Sequence, residues 1–258
     1  MKKKLVLKIG TSTLTNGTKL ISRGKIEDIG RQILALREEF EMVLVSSGAI
    51  ATARQFIKIK SEKLVESKQA LAAIGQPLLM RIYHEVFTDF GIHTAQCLMT
   101  YRDFENETSR QNTLNTINEL IKYGYIPIIN ENDTTAVEEI ILGDNDKLSA
   151  LVATLIKADL LVLASDIDGV FDKNPHLHRD AKLISEIKNI EEAKSLVEER
   201  DSGLGRGGMS SKLEAAMICQ QANIETIIVN GGRNNFLLDA LAGKVRFTKF
   251  SSPEKIMC

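Results

Sequence analysis

A layered α/β domain built on a parallel sheet is what this sequence predicts, and two observations carry the prediction. Short aliphatic runs alternate along the chain with longer segments whose apolar residues fall three and four apart. The runs are apolar at nearly every position, which suits strands buried on both faces with helical crossovers between them. In order they are "LVLKIG" from Leu5, "MVLVSSG" from Met42, "IHTAQCLMT" from Ile92, "YIPIIN" from Tyr125, "DLLVLASD" from Asp159, "TIIVNGG" from Thr226 and "VRFTKF" from Val245. The intervening segments of helical period begin at Gly24, Lys68, Thr108, Asp146 and Lys212 and read "GKIEDIGRQILALREEF", "KQALAAIGQPLLMRIYHEVFTDFG", "TSRQNTLNTINELIKYG", "DKLSALVATLIKAD" and "KLEAAMICQQA".

In such a fold, ligands bind beyond the carboxyl ends of the strands. Four polar or Gly-rich segments come directly after a strand: "GTST" after Ile9, "SSGA" after Val45, "NENDTT" after Ile129 and "SDIDG" after Ala164. If their strands are parallel, all four meet on one edge. The segment "AVEEIILG", with alternating charges and β-branched residues, reads as a small projecting hairpin.

Composition narrows the function. With 258 residues, 43% of them hydrophobic and 26% charged, the chain can bury a sizeable core and lacks the polar excess of a disordered chain. No linker, repeat or low-complexity tract interrupts it, so residues 1–258 read as one domain. A formal net charge of −1 offers no general attraction to nucleic acid or to an anionic membrane. The apolar run after Lys2, Lys3 and Lys4 is too short for a signal peptide, and no stretch approaches the roughly 20 apolar residues that span a bilayer. Cys97, Cys219 and Cys258 are odd in number and form no CxxC pair, which argues against a disulfide framework and points to a cytoplasmic protein.

The segments with chemistry are anion sites and clustered carboxylates. "GLGRGG", Gly203 to Gly208, matches GxGxxG, but the preceding "IEEAKSLVEER" is helical in period, whereas a dinucleotide fingerprint must come after a strand. Walker A fails because Met209 stands where lysine is required. What remains is a glycine loop at a helix N-terminus, where free N–H groups favour an anion and where Arg206 and Lys212 otherwise oppose the helix dipole. A surface loop with solvated cations is the alternative.

In "KIGTS", Lys8 ends an apolar strand, where an ammonium is costly unless paired. Gly10, Thr11 and Ser12 come next, with donors that suit phosphate oxygens. "VSSGAIA" places Ser47 and Gly48 at a strand-to-helix turn that admits a carboxylate or, more plainly, caps a helix. "INENDTT" and "LGDNDKLSA" crowd Glu131, Asp133, Asp144 and Asp146 with Asn130, Asn132 and Asn145. Carboxylates so dense need neutralising cations: Lys8, Lys212, nucleotide-borne Mg²⁺ or a substrate amine. "SDIDGVFDKNP" imitates a calcium loop, but its glycine comes two positions early. His176 and His178 read as loop residues, His84 as helix surface and His93 as a strand start.

Taken together, "KIGTS", "SSGAIA", "KQALAAIGQ", "INEND", "GDNDKLSA", "SDIDGVFDKNP" and "GLGRGGMSSK" resemble the amino acid kinase family in order and approximate spacing, over essentially the whole chain. The resemblance implies an αβα sandwich around a mainly parallel, eight-stranded sheet. It implies ATP-dependent phosphorylation, with Mg²⁺, of the γ-carboxylate of L-glutamate to L-glutamyl 5-phosphate, the first step of proline biosynthesis. Lys8, Asp146 and Lys212 are then the catalytic charges. Ser47, Gly48, Asp133 and Asn145 are the substrate contacts, and Lys8, Gly10, Thr11, Ser165, Asp166 and the run from Arg206 through Gly207, Gly208, Met209, Ser210 and Ser211 to Lys212 bind the nucleotide.

It further implies a homo-oligomer, with proline as a candidate feedback inhibitor. Two departures stand out: Arg206 occupies the place of a small hydroxyl residue in "GRGGM", and the sequence ends at Cys258 where many relatives continue into a PUA domain. Other acceptors of the family, among them N-acetylglutamate, L-aspartate, carbamate and UMP, are alternatives, as is a non-catalytic nucleotide or amino acid sensor. "INENDTTAVEEI" favours glutamate, and the intact Lys8, Asp146 and Lys212 favour catalysis.

Overall fold

The computed structural model describes residues 2–58, 64–136, 145–175, 177–190 and 208–251. Its centre is an eight-stranded sheet. Lys3–Ile9 (β1), Phe40–Ser46 (β2), His93–Met99 (β3), Tyr125–Glu131 (β4), Leu160–Ser165 (β5), Glu186–Ile187 (β6), Glu225–Asn230 (β7) and Thr248–Phe250 (β8) lie in the order β3-β4-β2-β1-β5-β7-β8-β6. Every pairing is parallel except β7 with β8. The seven apolar runs all form strands. The eighth, β6, is two residues long at a sheet edge, too short to leave a periodic signal.

The helices among the described residues are Thr11–Thr15 (α1), Arg23–Leu36 (α2), Ala49–Ala53 (α3), Val65–Thr88 (α4), Arg102–Glu105 (α5), Glu107–Lys122 (α6), Asp146–Ile156 (α7), Gly208–Gln221 (α8) and Phe236–Leu241 (α9). All five expected helices are present. The first stops at Leu36 instead of running on to Phe40, because Phe40 pairs with Lys3 and opens β2. The short α1 and α3 sit inside turns whose Gly, Ser and Thr content obscures helical period. "EEAKSLVEER", most of "AVEEIILG", Asp144, His176, Cys258, Arg206 and Gly207 lie outside the described residues.

Side chains of a strand alternate between the two faces of its sheet, and in β1 this alternation feeds two separate cores. Leu5, Leu7 and Ile9 join a core with Ile26, Ile29 and Ile33 of α2, Leu79, Tyr83 and Phe87 of α4, and Phe236 of α9. Val6 joins a second core with Leu148 and Val152 of α7, Leu213 and Ala216 of α8, and Ile117 of α6. Helices therefore cover both faces, which is the three-layer sandwich. Lys8, two residues beyond Val6, points to the side of α7 and α8. Among the described residues, no helix is long and apolar enough to cross a membrane.

Candidate active site

Strands β4, β2, β1 and β5 are adjacent and parallel. Their carboxyl ends consequently deliver "NENDTT", "SSGA", "GTST" and "SDIDG" to one edge of the sheet. Gly10, just beyond β1, takes an extended conformation and caps α1. A Cβ there would stand 3.6 Å from Lys8 Nζ and 3.7 Å from the Ala164 carbonyl oxygen. The missing side chain thus leaves the backbone open beside an ammonium group.

That ammonium belongs to a buried charge centre. Lys8 Nζ lies 2.5 Å from Asp146 Oδ1, and Lys212 Nζ lies 2.9 Å from Asp146 Oδ2. Asp146 is wholly buried, while Lys8 and Lys212 are 5% and 9% exposed. Asp146 is the first residue of α7, where a carboxylate suits the helix dipole. Lys212 stands in the opposite situation, near the start of α8, and its Nζ turns back to donate to the Gly208 carbonyl at 2.9 Å. Ser211 Oγ adds a hydrogen bond to Asp146 Oδ2 at 3.2 Å. Burial by itself would raise the Asp146 carboxyl, but the charges of Lys8 and Lys212 outweigh it and hold the group well below the usual carboxylate range. Two cations against one anion leave a net positive focus beside Gly10.

Next to it opens a cavity of about 250 Å³ whose walls include Thr11, Ser47, Gly48, Asn130, Asp133 and Asn145. Gly48 has φ +109°, a backbone conformation that favours glycine, and a Cβ there would also stand 3.0 Å from Leu14 Cδ1, which would have to shift. Asn145 Nδ2 donates to Ser47 Oγ at 3.0 Å and to Asn130 Oδ1 at 2.8 Å. Asn130 Nδ2 donates in turn to Gln76 Oε1 at 2.9 Å, and Gln76 Nε2 to Gln96 Oε1 at 3.0 Å. This chain of amides runs from the edge strand β3 into the cavity and fixes which way each amide faces. Burial, and then the neighbouring Glu131, push the Asp133 carboxyl up to about 6.

At the end of β5, Ser165 is buried and donates from Oγ to Asp166 Oδ1 at 3.2 Å, while Asp166 is exposed. A Cβ on Gly231 would fall 2.7 Å from Thr13 Oγ1 and 2.9 Å from Ala164 Cβ, so the end of β7 packs directly against α1 and β5. Asp168 accepts from Arg233 Nη2 at 2.8 and 2.9 Å, from Asn230 Nδ2 at 3.1 Å and from Arg246 Nη2 at 3.2 Å. These guanidinium partners give the second acidic residue of "SDIDG" a structural occupation.

The structure therefore brings Lys8, Asp146 and Lys212 into one contact group, and Ser47, Gly48, Asp133 and Asn145 into one cavity wall beside it. Ser165 ends β5 and Asp166 follows it at the same sheet edge. Gly208, Met209, Ser210 and Ser211 form the first turn of α8, and Met209 is packed against the core beneath α7 and α8. Gln76, Arg54 and Lys68 escaped the sequence reading as site residues. Gln76 had a signal, a polar residue within the apolar pattern "LAAIGQPLL". Lys68 also had one, since it opens the motif "KQALAAIGQ", whereas Arg54 had none, because an exposed cation at a helix end is ordinary.

Comparison with known proteins agrees with this geometry. Residues 3–230 match the model of the amino acid kinase family. Glutamate 5-kinase of Clostridium acetobutylicum is 44% identical over 241 residues, covering 92% of this chain and 90% of that protein. Glutamate 5-kinase of Alkaliphilus metalliredigens is 43% identical over 253 residues, covering 97% and 96%. The glutamate 5-kinase of Caldanaerobacter subterraneus is 42% identical over 250 residues, 96% of this chain but 67% of the relative. Among solved structures, carbamate kinase from Giardia lamblia superimposes with a TM-score of 0.67 at 18% identity, covering 98% of this chain and 99% of that one. UMP kinase from Ureaplasma parvum superimposes with a TM-score of 0.66 at 17% identity, covering 97% and 99%. With a family match over most of its length and relatives above 40% identity along nearly all of it, the chain belongs to the amino acid kinase family.

Proposed function

We propose that this protein transfers the terminal phosphoryl group of ATP to the γ-carboxylate of L-glutamate, forming L-glutamyl 5-phosphate, the step that opens proline biosynthesis. The observation that carries the reading is the pair of ammonium groups, from opposite ends of the chain, on the two oxygens of the buried Asp146. The glutamate 5-kinases to which the chain is similar over nearly its whole length supply the acceptor.

The chemistry asks little of the protein beyond placement and charge. A γ-carboxylate with an ordinary pKa near 4.3 is already a nucleophile at neutral pH, so no base is needed. Phosphoryl transfer spreads negative charge over the equatorial oxygens and the bridging oxygen that leaves with ADP. Lys8 and Lys212 neutralise that charge, and Asp146 holds both ammonium groups in register without accepting a proton. The Gly10 and Thr11 backbone approaches the transferring group. Ser47, Gly48 and Asn145 orient the acceptor, and Asp133 holds its ammonium. Ser165 and Asp166 form part of the nucleotide pocket, with the first turn of α8 beside them.

Mg²⁺ arriving with the nucleotide would supply further neutralisation of the triphosphate charge. In the same reading the protein works in the cytoplasm as a homo-oligomer, and proline competes at the acceptor cavity. The test is ADP release with L-glutamate, N-acetylglutamate, L-aspartate and UMP in parallel, with hydroxylamine trapping of the acyl phosphate. Glutamate alone should yield the hydroxamate. Turnover of another acceptor without turnover of glutamate overturns the assignment.

A further inference from the structure

At neutral pH L-glutamate carries two carboxylates and one ammonium. With the γ-carboxylate directed at the charge centre and the ammonium at Asp133, the α-carboxylate still needs a cationic partner. The remaining wall of the acceptor cavity includes Arg54 and Lys68. Arg54 is the C-cap of α3, and Lys68 lies in the opening residues of α4. A lysine there works against the helix dipole, so local helix preference does not account for it.

Both cations line the cavity, and α3 and α4, which carry them, are packed closely. A Cβ on Gly75 would stand 1.8 Å from the Ala49 carbonyl oxygen and 2.9 Å from the Ala53 nitrogen. Helices α3 and α4 therefore touch main chain to main chain, immediately before Arg54 and two turns after Lys68. Asp133 faces the same cavity from the end of β4, so the wall presents both signs of charge.

We propose that Arg54 and Lys68 together bind the α-carboxylate of the acceptor and are the residues that make the cavity specific for an amino acid with both its main-chain groups charged. The proposal rests on the glutamate reading above. A guanidinium and an ammonium on one carboxylate give charge-assisted hydrogen bonds that an uncharged amide cannot replace.

The experiment compares L-glutamate with its α-amide and with 4-aminobutyrate, both of which retain the reacting carboxylate. Wild-type protein should favour glutamate in kcat/KM by about tenfold or more over either analogue. Arg54→Met and Lys68→Met should each raise KM for glutamate about 10- to 100-fold. KM for ATP should stay unchanged, as should kcat/KM for the α-amide, so that discrimination collapses. Arg54→Lys should recover part of it. Circular dichroism and the nucleotide-induced thermal shift check that the variants are folded. If wild type turns over glutamate and the variants keep the same preference over the α-amide, the proposal is overturned and the glutamate reading stands. Absence of acyl phosphate from wild type with glutamate overturns both.

Discussion

Asp133 and Asp146 lie at the same sheet edge and are driven in opposite directions. Asp133 is half-buried beside Glu131, and its carboxyl is pushed up to about 6. It becomes a reliable partner for an ammonium only as pH rises through that value. KM for glutamate should therefore fall as pH rises through about 6 and level off above, and Asp133→Asn should remove the pH limb while raising KM throughout.

Asp146 has the opposite sign. Its folded carboxyl is depressed by Lys8 and Lys212, so its contribution to stability is complete above the unfolded carboxylate pKa and is lost as pH falls through the lower folded value. Asp146→Asn should lower stability in urea at pH 7 by about 3 to 5 kcal/mol, because two buried ammonium groups lose their counter-charge. It should also flatten the acid limb of stability below about pH 4. Lys8→Met and Lys212→Met should each reduce kcat by about 10² to 10³ with the circular dichroism spectrum retained. Wild-type rates in either variant would remove the charge centre from the mechanism.

At the scale of elements, what matters is how closely backbones approach. Gly75 and Gly30 both lie in helices, yet an added Cβ meets different obstacles. At Gly75 it strikes main-chain atoms of Ala49 and Ala53, whereas at Gly30 it reaches ring atoms of Phe90 at 2.9 and 3.1 Å. A ring can turn away and a helix backbone cannot. Gly75→Ala should accordingly lower Tm and raise KM for glutamate together, since the turns and helices of this pair carry Gly48, Arg54 and Lys68. Gly30→Ala should affect Tm alone, and by less. The amide chain from Gln96 through Gln76 and Asn130 to Asn145 works on the same scale, carrying the position of β3 and α4 to the cavity wall.

Across the whole molecule, the charge centre exists only when the sheet is assembled. Lys8 lies near the end of β1, Asp146 opens α7 and Lys212 lies in α8, so an unfolded chain cannot bind a triphosphate at this site. Nucleotide should then stabilise the native state alone, by about 2.7 kcal/mol at 100 times its Kd. The resulting rise in Tm should vanish in Lys8→Met and persist in Lys4→Met, whose side chain reaches the Ile156 carbonyl at the opposite end of β1.

The sequence by itself determined seven of the eight strands and the five long helices, because aliphatic runs and a 3.6-residue period are local signals, and it left β6, α1, α3, α5 and α9 unmarked. It also marked Lys8 as out of place in an apolar strand, and Ser47, Asp133 and Asn145 as polar residues at strand or helix ends. Only the tertiary structure decided that β1 lies between β2 and β5, how closely the Lys8 and Lys212 ammonium groups approach Asp146, and that Arg54 and Lys68 line the cavity whose amides Gln76 supports. The physical reason is that strand order and helix crossings come from packing between residues far apart in the chain. A cation on a helix reads as solvated surface until its neighbours are known.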